Sequence, residues 1–381
     1  MPRRRLYVVA GKVTDSVTYG FLPAADRLGL DVTVLTDRPA EHERTYPRRR
    51  IVACDVTDFR DIVNTVRAPD AIFSNSDHLQ APTALAAAYF GLPGKDWRAA
   101  TRTKNKALMR RHLGDGGYVA ELGDPHVDLA GAPFPLVLKP REGVASEDVV
   151  LVADSAELAA RAAEIGHRRP LMVEEYLPGG LHTLETIGDG RELRVLGSFR
   201  TTLSPPPYFV EERLEWAPPP PESGQVLDQL RALGVGFGTC HTEFVVHAGR
   251  ARLIEVNYRN IGDHCDFLLA DLLGLPLFDD VLRLHLGEPL SEPPHARNRH
   301  AIVEYVLAGR SGTLTAAPEP GERVAGGVRV TYRPQRPVGS AVALSHTNRD
   351  YLGTIAAIGP DPAAVAATIA CFRAEHVWEI T

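Results

Sequence analysis

The stretch TCHTEFVVHAGRARLIEVNYR, residues 239 to 259, constrains this chain more than any other. Two apolar runs flank a glycine, the pattern of two antiparallel strands joined by a tight turn. With the turn centred on Gly249, Glu243 lies opposite Glu255 and His241 opposite Asn257. Alternation puts all four on one sheet face and turns Phe244, Ile254 and Val256 to the other. Carboxylates facing each other at about 5 Å repel, so strands that carry them call for a cation between them. The oxygen donors of Glu243, Glu255 and Asn257 suit magnesium or manganese. Arg259, two residues on, suits a phosphate or carboxylate beside the metal. The opposing reading is a solvated face with scattered charges. The shared face and register of acidic pair, amide and arginine count against it.

The first hundred residues alternate strand and helix signals. Strands are expected at Leu6–Ala10, Val32–Leu35, Arg50–Ala53 and Ala71–Phe73, and helices at Tyr19–Leu28, Asp58–Val66 and Ala81–Tyr89. Such alternation gives a parallel sheet whose ligand crevice lies beyond the carboxyl ends of its strands. Gly11, Asp15, Ser16 and Ser74–Asp77 fall there. A dinucleotide dehydrogenase is excluded, because VVAGKVTDS after the first strand lacks the GxGxxG spacing.

Further on, Lys104–Leu113 reads as a basic helix, and Pro133–Lys139 as a strand that enters a loop holding Gly143. Helices are expected at Ser155–Ile165, Ser223–Leu233, Asp266–Leu273 and Phe278–Leu286, with strands at Asp148–Val152, Leu171–Tyr176, Thr183–Ile187 and Leu193–Arg200. Proline tracts at Pro205–Pro207 and Pro218–Pro221 bracket Tyr208–Glu215, which therefore reads as a surface excursion. The last ninety or so residues show a mixed pattern.

At about 150 residues per domain, 381 residues imply two to three domains. A formal charge of -6 argues against a nucleic-acid partner. No apolar run reaches the roughly 18 residues of a membrane helix, and MPRRRLYVVAGK is too short in its apolar part for a signal peptide. A cytoplasmic protein is expected. The four cysteines have no CxxC spacing. Cys240 and His241 are adjacent on a strand and face opposite ways, so they form no dyad. His264-Cys265 as zinc ligands is less favoured than a buried cysteine beside a polar turn.

The order Lys106, PLVLK ending at Lys139, EGVAS, VEEYLPGG, HTEF and IEVNYRNIGD resembles the ATP-grasp superfamily of carboxylate-amine ligases, in its amino-acid ligase branch. The resemblance implies an α/β and α+β architecture, a Rossmann-like N-terminal domain followed by a two-subdomain ATP-grasp fold. Its boundaries fall at residues 1–98, 99–180 (small subdomain, the lid), 181–290 (large subdomain with the metal-binding hairpin) and 291–381 (a C-terminal part completing the catalytic domain). It also implies ATP and Mg2+ (or Mn2+) as cofactors. Lys106 and Lys139 would contact phosphates, Ser146 would lie in the phosphate loop, and Glu174, Glu175, Tyr176 and Leu177 would edge the adenine. Glu243, Glu255 and Asn257 would ligate magnesium, and Arg259 would stabilise the transferring phosphoryl group and an acyl phosphate.

Three positions depart from the family pattern. The loop REGVASEDV has one glycine, and Glu147 and Asp148 add negative charge beside it. His182 stands where an acidic ribose ligand is common and would hydrogen-bond the ribose in its place, and Asn105 replaces an acidic residue before the first lysine. Arg200, Glu211 and Asp263 are candidates for substrate contacts. Partners are small-molecule carboxylate and amine substrates, with a homodimer left open. Segments near the start and near residue 265 also resemble ligases of siderophore assembly. The alternative is an ATP-grasp nucleotide-binding module with lost or altered catalysis.

Overall fold

A computed structural model describes residues 3–114, 116–123, 129, 131–292 and 298–381. Four parallel strands open the chain: β1 (Arg5–Val9), β2 (Asp31–Thr36), β3 (Arg50–Ala53) and β4 (Ala71–Phe73), in the order β3-β2-β1-β4. The runs LYVV and VTVL are buried along almost their whole length, as helices on both faces require. The expected helix at Tyr19–Leu28 begins earlier, as a π-helical turn at Ser16–Phe21, and continues as Leu22–Arg27. Gly20 is needed there because a Cβ would lie 2.3 Å from the Phe278 ring.

The expected basic helix, Lys104–Leu113, starts two residues later, at Lys106–Leu113, and a separate helix, Trp97–Lys104, precedes it. Asn105 separates them, its side chain accepting the Leu108 N–H, so the residue that breaks the family's acidic pattern works as a helix cap. Both helices pack through Ala99, Ala100 and Met109 against Leu230 and Phe244, on the face of the large sheet. After them comes a second, smaller sheet. It is an antiparallel sheet of β5 (Val119–Glu121), β6 (Leu136–Pro140), β7 (Val150–Val152) and β8 (Leu171–Glu175), ordered β5-β8-β6-β7 and covered by the helix Ser155–Ile165.

The remaining strands are β9 (Leu181–Asp189), β10 (Leu193–Leu203), β11 (Glu211–Ala217), β12 (Phe237–His247), β13 (Arg250–Asn257), β14 (His300–Leu307), β15 (Gly312–Ala316), β16 (Gly321–Ala325), β17 (Val328–Pro334), β18 (Ala341–Val342), β19 (Tyr351–Gly359) and β20 (Glu379–Ile380). Nine of them make one sheet, ordered β13-β12-β9-β10-β11-β14-β19-β17-β16. One expectation is corrected here. Tyr208–Glu215 is no surface excursion, because β11 lies inside the sheet between β10 and β14. The proline tracts stop that strand at either end and leave its N–H groups intact. The C-terminal ninety residues are continuous with the large sheet through β14, β19, β17 and β16, and add the small sheet β18-β15-β20 and the helix Pro362–Glu375.

One core joins the parallel sheet to the large one, with Phe21, Phe73, Phe199, Phe278 and Tyr305 all buried in it. Among the described residues, no helix is long and apolar enough to cross a membrane.

Candidate active site

The hairpin's turn is Ala248–Gly249, with both residues at positive φ (48° and 72°), the conformation a two-residue hairpin demands. A bulge beyond Glu243 leaves Ile254 unpaired, and the register then gives Glu243 opposite Glu255 and His241 opposite Asn257. The bulge also turns Ile254 into the cleft, whereas simple alternation assigns it to the far face; Phe244 and Val256 do lie in the core there.

The cleft between the sheet β5-β8-β6-β7 and the large sheet has two connected parts, sharing Val144, Ser146, Glu211, Glu243 and Glu255 as walls. The first is largely apolar. Val137, Val149, Leu203, Phe209 and Val245 line it, and the expected segment Glu174, Glu175, Tyr176 and Leu177 forms its edge. The N–H groups of Glu175 and Tyr176 are donated to the Tyr118 and Pro135 carbonyls, which fixes the segment against its neighbours. The Glu175 carboxylate is held by Arg252 at 3.1 Å.

Lys139 and Glu174 meet at the floor of this part. Lys139 Nζ is 2.7 Å from Glu174 Oε2, and Arg110 grips the same carboxylate at 2.9 and 3.1 Å. All three are buried. Burial alone would raise the Glu174 pKa, but the charges of Lys139 and Arg110 hold it at about 2. Lys139 is pushed down, first by burial and further by Arg110 and Lys106, against the pull of Glu174. Arg110 was not anticipated from sequence, although it sits four residues after Lys106 and so on the same helix face.

Lys106 Nζ is 2.8 Å from Glu255 Oε1. Burial opposes its charge, and Glu255 outweighs burial, so its pKa is raised. One of the two facing carboxylates is thus balanced by a lysine. The other, Glu243, lies 3.6 Å from His241 Nε2, whose Nδ1 is 2.7 Å from the buried Glu185. Burial would lower the His241 pKa, but Glu185 lifts it to about 10, which makes the ring a cation behind Glu243. Among the described residues, no three His, Cys, Asp or Glu side chains gather in metal-site geometry. The donor set here is two carboxylates and an amide, hard oxygen ligands that fit magnesium or manganese with water completing the shell.

The second part is a polar cavity of about 560 Å³, which holds Asn257, Arg259, Glu211 and Asp263 together with Glu243, Glu255 and His241. Three of these carboxylates bear on Glu211. Its pKa rises to about 8, by burial first and then by the charges of Glu243, Asp263 and Glu255, against His241. The C-terminal part of the chain supplies Arg336, Asn348, Arg349 and Tyr351. None of these was anticipated, because they come from segments with no local motif. Arg259, Gly262, Asp263 and Gln335 also wall the crevice at the carboxyl ends of β1 and β4, where Gly11, Asp15, Ser16 and Asn75–Asp77 lie as expected.

Two expected site residues stand outside the cleft. Along β9, Leu181 faces the cleft and His182 faces away, its ring stacked on Phe244 at 5.7 Å. Arg200, paired with His182 in register, is exposed and bound to Glu215 at 2.9 Å. Strand alternation decides both cases.

The glycine-poor loop keeps an open shape by other means. Ala145, Ser146 and Asp148 all adopt positive φ, at 59°, 54° and 58°. Arginines balance the charges of Glu147 and Asp148: Glu147 pairs with Arg349 at 2.8 Å, and Asp148 with Arg168 at 2.9 Å and Arg169 at 3.0 Å. Ser146 lines both parts of the cleft.

No family model matches the chain. Among solved structures, the L-amino acid ligase from Bacillus licheniformis superimposes with a TM-score of 0.79 at 20% identity, covering 100% of this chain and 99% of that one. The fold is that of the ATP-grasp enzymes. A second ATP-grasp neighbour is the biotin carboxylase domain of the Hydrogenobacter thermophilus 2-oxoglutarate carboxylase, solved as a dimer with MgADP, ADP and bicarbonate. It has a TM-score of 0.68 at 16% identity, over 99% of this chain and 90% of that one. In sequence, the chain is 26% identical to the protein y4rH of Sinorhizobium fredii, over 94% of this chain and 79% of y4rH. It is 27% identical to carnosine synthase 1 of Gallus gallus over 68% of this chain, which spans only 31% of that longer protein.

Proposed function

We propose that this chain is an ATP- and magnesium-dependent ligase that joins a carboxylate to an amine or amino acid through an acyl phosphate, releasing ADP and phosphate. The observation that carries the reading is a single cleft in which an apolar slot with Lys139 at its floor opens directly onto Glu243, Glu255, Asn257 and Arg259. Lys106 and Lys139 hold the phosphates, and Ser146 closes over them. Glu243, Glu255 and Asn257 hold magnesium, which when bound neutralises phosphate charge and aligns the oxygens for displacement. Arg259 stabilises charge on the transferring group. The substrate carboxylate oxygen bonds to the γ-phosphorus as the bond to ADP breaks. The amine nitrogen then bonds to the acyl carbon as phosphate leaves, and the amine's proton passes to Glu211 or Asp263.

The relatives support ligation of this kind by name: the Bacillus licheniformis neighbour is an L-amino acid ligase, and the Gallus gallus relative a carnosine synthase. A cytoplasmic location and a role in siderophore assembly belong to the same proposal. A deletion strain grown under iron limitation with undiminished siderophore output removes that pathway. A second reading, a nucleotide-binding module without catalysis, draws on the glycine-poor loop.

The deciding experiment incubates the protein with ATP, magnesium and pools of carboxylic acids, amino acids and amines, resolving ADP, AMP and new masses. ADP and phosphate formed only when an acid and an amine are both present support the ligase. AMP with pyrophosphate overturns the mechanism. Nucleotide binding without turnover in any pool favours the binding module.

A further inference from the structure

The segment 343–350, between β18 and β19, crosses from the C-terminal part of the chain to the mouth of the cleft. Its own hydrogen bonds brace it. Asp350 is buried and accepts hydrogen bonds from Ser345 N–H at 2.9 Å, Ser345 Oγ at 2.7 Å and Thr347 N–H at 3.3 Å, while Thr347 accepts the Arg349 N–H. The His346 ring stacks on Tyr208 at 4.3 Å, with the planes only 3° apart.

Two residues of this strap reach in different directions. On one side, the Asn348 N–H donates to the Ala145 carbonyl at 3.0 Å, and Arg349 Nε meets Glu147 Oε1 at 2.8 Å. Both contacts fall on the phosphate loop. On the other side, the Asn348 side chain accepts the Glu211 N–H at 3.0 Å and donates to Glu211 Oε2 at 3.3 Å. One asparagine therefore touches the loop with its backbone and the acidic end of the cavity with its amide. The loop has reason to need such a hold. Three non-glycine residues at positive φ cost about 1 kcal/mol or more each and persist only where surrounding contacts impose them.

We propose that this strap is a latch and that Asn348 is a positioning residue, coupling the Glu211 end of the cleft, where the acceptor amine enters, to the conformation of the phosphate loop. The inference rests on the ligase reading of the cleft. Seating of the Asn348 amide on Glu211 sets the height of its own N–H beneath Ala145, so the loop is ordered over the phosphates when the acidic end is in place. An amine bound at Glu211 then favours nucleotide, and by linkage nucleotide favours the amine.

The test begins with the ligand-free full chain. Amide hydrogen exchange of residues 143–149 is compared in wild type, Asn348→Ala, Arg349→Ala and, as a remote control, Arg373→Ala. The expected result is exchange about threefold to tenfold faster in that loop in the first two variants, the factor for loss of one hydrogen bond. The helix Ser155–Ile165 and the control variant stay unchanged, which separates a latch from general loosening. Loop exchange that is unaltered in Asn348→Ala overturns the proposal, even where Arg349→Ala accelerates it, because the loop is then held without reference to Glu211. If Asn348→Ala folds poorly, Asn348→Asp keeps the acceptor for the Glu211 N–H but loses the amide donor to Glu211 Oε2, and unaltered loop exchange in it overturns the proposal in the same way. A second measurement reads ADP affinity in the presence of magnesium, where Asn348→Ala is expected to lose a similar factor; unchanged affinity counts against the latch. Wild type that binds no nucleotide refutes the ligase reading instead, while the exchange data still decide whether the strap holds the loop.

Discussion

Glutamine at position 174 is the sharpest test of the cleft floor. Glu174→Gln keeps the side-chain volume and one acceptor oxygen, but it leaves Lys139 and Arg110 buried side by side, at 4% and 5% exposure, without their shared anion. Removing one member of a buried ion cluster costs about 3–5 kcal/mol. The carboxylate's own titration gives a figure of the same order. Its pKa falls from 4.5 to about 2 on folding, which corresponds to about 3 kcal/mol at neutral pH. The folded value lies below the unfolded one, so this stabilisation is fully present above pH 4.5 and fades as pH falls toward 2. The gap between wild type and Glu174→Gln should therefore be about 3 kcal/mol at pH 7 and shrink to roughly half of that at pH 3. Urea denaturation followed by circular dichroism at several pH values measures both numbers. A variant as stable as wild type at pH 7, or a gap that does not narrow on acidification, would refute the claim that Glu174 is the anion holding Lys139 and Arg110 in place.

Glu255→Ala should lower product formation by at least about 100-fold, as expected when a group that neutralises transition-state charge is lost, and titration of magnesium against the variant should show weaker metal dependence; near-normal turnover argues against Glu255 as a metal ligand. His182→Ala should change the KM for ATP by less than about twofold, because the ring faces Phe244 and not the cleft; a larger rise would place His182 at the nucleotide after all. Lys95 is depressed to about 7 by burial, with Arg259 adding to the effect against Cys240. Its folded value lies below the ordinary 10.5, so wild-type stability should rise from pH 7 toward pH 10. Lys95→Met should flatten that rise in a thermal-melt series, and an equal slope in both proteins would contradict it.

The hairpin shows how far local pattern reaches. Alternation and a turn centred on Gly249 put Glu243 opposite Glu255 and His241 opposite Asn257, because side-chain direction in a strand has a period of two. The observed turn is one residue tighter, and that register holds only because the bulge at Ile254 makes up the difference. The parallel strands β1 to β4 were legible for a similar reason, since their apolar runs and helical partners are written in consecutive residues. The same alternation, applied to β9 with the strand placed in the sheet, shows why His182 turns away. Sequence alone did not reveal which of its faces would meet the cleft.

What the sequence determined by itself is what neighbouring residues dictate: the helix and strand order, the register of the acidic pair, the lysine at the end of β6, and the resemblance carried by those motifs. Tertiary structure decided the rest. It placed β11 inside a nine-stranded sheet although proline tracts flank it, and so carried Glu211 into the cavity. It closed the Lys139–Glu174–Arg110 cluster from two strands and a helix, and it sent Asn348 and Arg349 across 200 residues of chain to the loop at Ala145–Glu147. The physical reason is one of range. Turns, caps and strand alternation act over a few residues, whereas pairing of distant strands and burial of charge depend on which surfaces the whole chain can cover at once.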